Sequence, residues 1–250
     1  MAKKFIYDSS ATYNATLTDG TAPSSTFADS SSITNELYAN DQNISNAITS
    51  FDIDDAIRFG YSTAQTIDTV ALYFSDSSSG RLDIYPDGGT ATSLGSSAGN
   101  DASLGSGWNI IDITEASNDN WFLVATVAEV TNLSEVILGK TLTFPHNPNL
   151  SGKESKVFGV DVVESYGGLE YANKRHDGKR VWEMSFSNLN ATDKTNFETM
   201  RDAISTNFLK FVYYDDSTYH WVRALPGSFE FTEVAYQSYN MNVKIIEQLA

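Results

Sequence analysis

Cysteine is absent from the 250 residues, which excludes a disulfide framework, zinc–thiolate sites and thiol catalysis together. Histidine occurs only at His146, His176 and His220. None stands beside a nucleophile motif and no two share metal-ligand spacing, so an enzyme is not expected. No apolar run approaches the ~20 residues that a membrane helix needs. The opening MAKKFIYDSS has two lysines without an apolar stretch behind them, so no secretory leader is expected. That start predicts a chain made in a cytoplasm. Positive charge is also scarce. Sixteen Lys and Arg stand against 32 Asp and Glu, a formal net charge of −16. Neutralising phosphates drives nucleic-acid affinity, so this balance argues against a bare nucleic-acid partner. It favours solubility and mutual repulsion of subunits instead.

What remains is ample for folding. A hydrophobic fraction of 41% and an aromatic fraction of 12% can fill a packed core. The acidity is uneven. Residues 1–150 hold 5 basic and 18 acidic side chains, residues 151–250 hold 11 and 14, as two units in different surroundings would.

Residues 8–50 are polar, with little hydrophobic period, and read as an extended arm or an irregular lead-in with room for one short strand. From Asp55 onward short β-like runs recur: AIRFGY (56–61), IDTVALYF (67–74), RLDIYP (81–86), WNIIDIT (108–114), WFLVATV (121–127) and LSEVILGKTLTF (133–144). Several alternate as half-buried strands do. Turn chemistry separates them in DSSSG, PDGG and SSAGNDASLGSG. This spacing predicts a mainly β protein with an acidic N-terminal β-sandwich of jelly-roll type over residues 1–145. PHNPNLSGKES predicts a linker, placed at 146–155.

Residues 156–250 read as a second, α+β unit. KVFGVDVV is β-like, SYGGLEYANKRHDGKR is a turn-rich basic connection, and VWEMSFS puts Trp182, Met184 and Phe186 on one face. Asn190 with Asp193 forms a variant capping box, opening a helix whose buried stripe is Phe197, Met200 and Ile204. FLKFVYY, the turn DDST and YHWVRA predict a hairpin. YNMNVKIIEQL predicts a last strand alternating at Tyr239, Met241, Val243 and Ile245. One helix on an antiparallel sheet is the economical fold.

Few residues offer themselves as sites. FDIDD brings Asp52, Asp54 and Asp55 together as hard-oxygen candidates for Ca²⁺, without the glycine and bidentate glutamate of an EF-hand. Trp108 and Trp121 are the aromatics best able to stack on a sugar ring, although their flanking patterns suit core strands better. Lys174, Arg175, Lys179 and Arg180 crowd into seven positions of an acidic chain. They make either a docking surface for an acidic neighbour or a solvated hairpin loop. No local pair of carboxylates marks a glycoside-hydrolysing cleft.

The order of features from SYGG, through RVWEMSFSNLNATDKTNFETM and FLKFVYYDD, to YNMNVKIIEQL resembles bacteriophage minor tail and tail-tip proteins of distal-tail or baseplate-hub type. Trp182, Glu183, Phe186, Leu189, Asp193, Phe211 and Glu247 carry that resemblance, over roughly residues 160–250. DAIRFGYSTAQTIDTVALYF and NLSEVILGKTLTF resemble, more weakly, the galactose-binding-like sandwich of discoidin-type modules. The resemblance implies a tail-tube-like C-terminal unit and a structural protein of the virion tail. Its partners would be copies of itself in a ring and tube, hub or fibre proteins, with a host-surface glycan as a further partner. The alternatives are a carbohydrate-binding module and a head-decoration or fibre-attachment protein.

Overall fold

The computed structural model describes residues 3–8, 16–19, 39, 41–48, 51–52, 55–78, 81–87, 92–93, 104–126, 129–149, 152–164, 166, 170–205 and 209–248. The protein is mainly β, antiparallel, with one α-helix among the described residues. It divides into two compact units: Ile6–Thr141 is the N-terminal unit, and Leu142–Leu249 with Met1–Phe5 is the C-terminal unit. The first five residues thus belong with the far end of the chain, not with the sandwich in which the sequence placed them.

In chain order the first strands are β1 (Lys4–Tyr7), β2 (Thr16–Asp19), β3 (Ala56–Phe74), β4 (Leu82–Pro86), β5 (Thr92–Ser93), β6 (Gly107–Ala125) and β7 (Leu133–Thr143). Two pairs of short runs expected as separate strands are fused, giving the 19-residue β3 and β6. No glycine or proline interrupts YSTAQT or TEASND, so nothing in either stretch forces a turn. Register shifts at Gly60/Gln65 and Ile67/Thr69 bend the pair instead. The first half of β3 then carries β2, and the matching half of β6 carries β4. The second half of β3 carries β7. Strands that change layer through bulges are how one sheet becomes two packed faces.

Both halves fill one core. Ile57, Phe59, Trp121 and Leu123 from one half meet Val70, Leu72, Phe74 and Leu138 from the other. Ala39, Ile48 and Phe51 join them, so part of the polar lead-in is built into the unit. Residues 9–15, 20–38, 40 and 49–50 of that lead-in lie outside the described residues.

The C-terminal unit contains β8 (Lys153–Glu164), β9 (Glu170–Leu189), α1 (Ala191–Ser205), β10 (Phe211–Tyr214), β11 (Tyr219–Ala224), β12 (Glu230–Ala235) and β13 (Ser238–Glu247). The sheet order is β10-β11-β13-β9-β8, with β12 also on β13. Alternation along β9 and β13 sets the register: Trp182 lies opposite Ile245, Met184 opposite Val243 and Phe186 opposite Met241. These six side chains are buried on one face. Phe197, Met200 and Ile204 are the buried residues of α1, and Phe197 packs 5.4 Å from the Phe186 ring. Burial of each such side chain stabilises by roughly 1.5–3 kcal/mol. The helix starts where the capping pattern placed it. The Asp193 N–H donates to Asn190 Oδ1 at 2.9 Å, and the Asn190 N–H donates to Asp193 Oδ2 at 3.2 Å.

Phe5 is completely buried in this unit, its ring 4.7 Å from Phe144, 5.2 Å from Phe211 and 5.6 Å from Tyr213. Beside it the Phe144 N–H donates to the Lys3 carbonyl at 3.0 Å. The segment expected as a linker is also part of the unit. The Asn149 N–H donates to the Ser185 carbonyl at 2.8 Å, and β8 begins at Lys153. Backbone groups in that segment find partners on β9, so its prolines mark a turn onto the sheet rather than a joint.

Candidate functional site

The basic connection expected between Ser165 and Arg180 is strand from Glu170 onward. Its residues pair with β8 from Glu164↔Glu170 to Lys156↔Arg180. β13 pairs with β9 only from Val181 onward. Over 156–164 and 170–180 the two strands therefore pair only with each other, a two-stranded arm with β8 at the margin among the described residues. What holds it as a ribbon is local. A Cβ on Gly159 would lie 2.3 Å from the His176 ring, and one on Gly178 would lie 2.6 Å from the Phe158 ring. Each strand thus lays a ring over a glycine of the other, which restores packing that glycine cannot supply.

Apolar side chains crowd this arm. Phe158 is 60% exposed, Val162 59% and Val163 61%, with Val157, Val160 and Tyr171 about half exposed. An isolated two-stranded ribbon is marginal in water, and a margin strand with unpaired backbone groups invites another strand. The four basic residues singled out in the sequence all lie on β9 of the arm. Lys174 is ion-paired with Asp177. Its hydrogen bond, then its charge, hold the Asp177 carboxyl below the usual carboxylate range. The Arg180 N–H donates to Glu247 Oε2 at 3.1 Å, with the guanidinium Nε 3.8 Å away.

Glu247 leads to a cluster that sequence reasoning missed. His220 is buried, with Nε2 2.9 Å from Asp215 Oδ2 and Nδ1 3.6 Å from Glu247 Oε1. The Trp182 ring lies 4.9 Å from it. The signal was the DDST turn: Asp215 follows Tyr214, whose ladder partner Tyr219 precedes His220. Burial opposes ionisation of Asp215. The Thr218 N–H, the His220 ring and the Ser217 hydroxyl and N–H outweigh it, and hold the carboxyl well below its usual range.

A carboxyl depressed in the folded state adds stability that is complete above its unfolded value, about 3.9, and is lost as pH falls through the folded value. Acid titration of stability should therefore show a loss that starts near pH 4. Asp215→Asn is expected to flatten that limb and to cost about 1–3 kcal/mol at neutral pH, by stranding its donors. Urea midpoints measured against pH check both, and an unchanged acid limb would refute the assignment.

The other candidates separate. Trp121 is 1% exposed, inside the N-terminal core, so its ring has no face for a sugar. Trp108 is half-buried, 5.2 Å from the Tyr73 ring on the neighbouring strand. Asp52 is exposed and Asp55 fully buried. Their backbones close a turn, with the Asp55 N–H on the Asp52 carbonyl at 3.1 Å. Asp54 lies outside the described residues. Among the described residues no three His, Cys or carboxylate side chains gather as a metal set would. Of the histidines, His146 bonds the Asn147 and Ser187 carbonyls and His176 covers Gly159. A cleft of about 280 Å³ beside α1, lined by Ile204, Leu209, Phe229, Arg201 and Arg223 among others, has no acid or histidine among the described residues of its lining.

No protein-family model and no curated protein matches the chain. Among solved structures the chain is similar to CBM32-1 from a family 31 glycoside hydrolase of Clostridium perfringens, at 16% identity and TM-score 0.36, covering 51% of this chain and 94% of that one. It is similar to the family 32 carbohydrate-binding module of Clostridium perfringens NanJ in complex with galactose, at 10% identity and TM-score 0.35, covering 55% and 99%. Truncated AlyQ with CBM32 and alginate lyase domains matches at 12% identity and TM-score 0.34, covering 86% of this chain and 55% of that one.

Proposed function

We propose that the protein is a non-catalytic joining component that attaches through its β8–β9 arm, in the setting its C-terminal sequence resembles, the tail tip of a bacteriophage virion. One observation carries this: an arm with large apolar side chains exposed on a margin strand. Apolar area of this kind is covered in a working assembly, and an added strand satisfies the backbone at the same time. The test is antibody labelling of virions that carry the full-length chain, wild type or with Phe158→Asp and Val162→Asp. Label at the tail, lost in the variant while the purified variant keeps its fold, is the expected result. Label on the capsid alone, or unchanged incorporation of the variant, would overturn it.

Carbohydrate binding by the N-terminal unit is the second reading, and the solved structures above carry that activity in their names. On this chain it is favoured by the half-buried Trp108 and Tyr73 rings on adjacent strands, a pairing able to meet the apolar face of a sugar. Saturable binding on a glycan array, abolished by Trp108→Ala, would place it first.

A further inference from the structure

Strand β8 is self-complementary about Val160. Its alternate residues Lys156, Phe158, Val160, Val162 and Glu164 share one face, and all are exposed. Read backwards the same face is acidic, apolar, apolar, apolar and basic. An antiparallel copy centred on Val160 sets Lys156 against Glu164, Phe158 against Val162, and Val160 against itself. Side chains directly opposite on one face are the pairs that stabilise a sheet. On the other face the same register sets Val157 against Val163.

The arm's own ladder gives these residues no opposite charge across the pair. Lys156 lies opposite Arg180, and Glu164 lies opposite Glu170. Like charges directly opposite destabilise a strand pair. A second β8 brings the opposite sign to both places at once. Charge also permits a meeting of two copies at the arm. Residues 153–180 hold six basic and five acidic side chains, whereas the whole chain holds 16 and 32. The bodies repel and the arms do not.

We infer that β8 is a homodimer seam: it pairs antiparallel with β8 of a second copy, about a two-fold axis through Val160, with reciprocal Lys156–Glu164 ion pairs. This rests on the joining role above and names the partner as another copy of this chain. An isologous seam closes at two copies, unlike the ring that the sequence resemblance implies.

Charge reversal tests it on the purified full-length protein, by sedimentation across a concentration series. The wild type is expected to be a dimer at micromolar concentration. Lys156→Glu sets two glutamate pairs across the seam, and Glu164→Lys sets two lysine pairs; each should weaken association about tenfold or more. The double variant restores both ion pairs and should dimerise. Mixing the two single variants should give a heterodimer that neither forms alone. Circular dichroism is expected to be unchanged, since both residues are exposed. A monomeric wild type, dimers indifferent to both reversals, or a double variant that stays dissociated would each overturn the seam. A monomeric wild type that still needs Phe158 and Val162 to enter particles would overturn the seam and leave the joining role standing.

Discussion

Phe5→Ala is expected to destabilise the C-terminal unit by about 3–5 kcal/mol, the usual cost of emptying a buried phenylalanine site. The reason is positional. Phe5 is completely buried, with the rings of Phe144, Phe211, Tyr213 and Phe229 within 6.4 Å. Edge-on contacts of this kind add to the burial itself. A domain of ordinary size holds only about 5–15 kcal/mol in total, so the loss would take a large share. Trp182 and Trp221 report this unit by fluorescence, and their urea midpoint should fall. A midpoint that stays in place would show that Phe5 contributes nothing to this core.

Gly139→Ala is the second large effect, in the N-terminal unit. Gly139 lies opposite Thr69 in the β3–β7 ladder. A Cβ there would sit 2.0 Å from the Tyr7 carbonyl oxygen, 2.9 Å from its carbon and 3.2 Å from the Asp8 Cα. All three are backbone atoms, so no rotamer change makes room. Overpacking with movable neighbours costs about 1–3 kcal/mol, and a backbone obstruction should reach the top of that range or pass it. Gly139→Val adds branches to the same clash and is expected to leave the unit unfolded. Near-ultraviolet circular dichroism and the thermal midpoint check this. An alanine variant as stable as the wild type would mean that the close approach of Tyr7 is not required.

Elements governed by local chemistry were legible in the sequence. The helix declared itself through Asn190 and Asp193, because a cap is a contact between residues three apart. Strand β13 declared itself through alternation, since Met241, Val243 and Ile245 all meet one buried face. The β10–β11 hairpin followed from its turn. What stayed illegible depends on distant partners. The run from Glu170 to Lys179 has no hydrophobic period, and only β8 makes it a strand. Fusion of the runs in β3 and β6 depends on register shifts between strands, which no single segment encodes.

The candidate site was half visible. The basic residues stand out in the sequence by their charge, but charge alone does not encode the ribbon beneath them. His220 does not stand out in the sequence, because its carboxylate partners come from the preceding turn and from the last strand. Trp121 shows the opposite case, where the flanking pattern already pointed to the core in which the ring lies.

The bond between Phe144 and Lys3 has a consequence for how such a chain can change. It holds together the two points between which residues 6–141 depart and return, so that whole stretch is a cassette spliced into a host scaffold. Insertions of this kind are tolerated where the two ends already meet. The spliced stretch also sets a kinetic toll, because the scaffold can complete its ring cluster only after a loop of that length has closed.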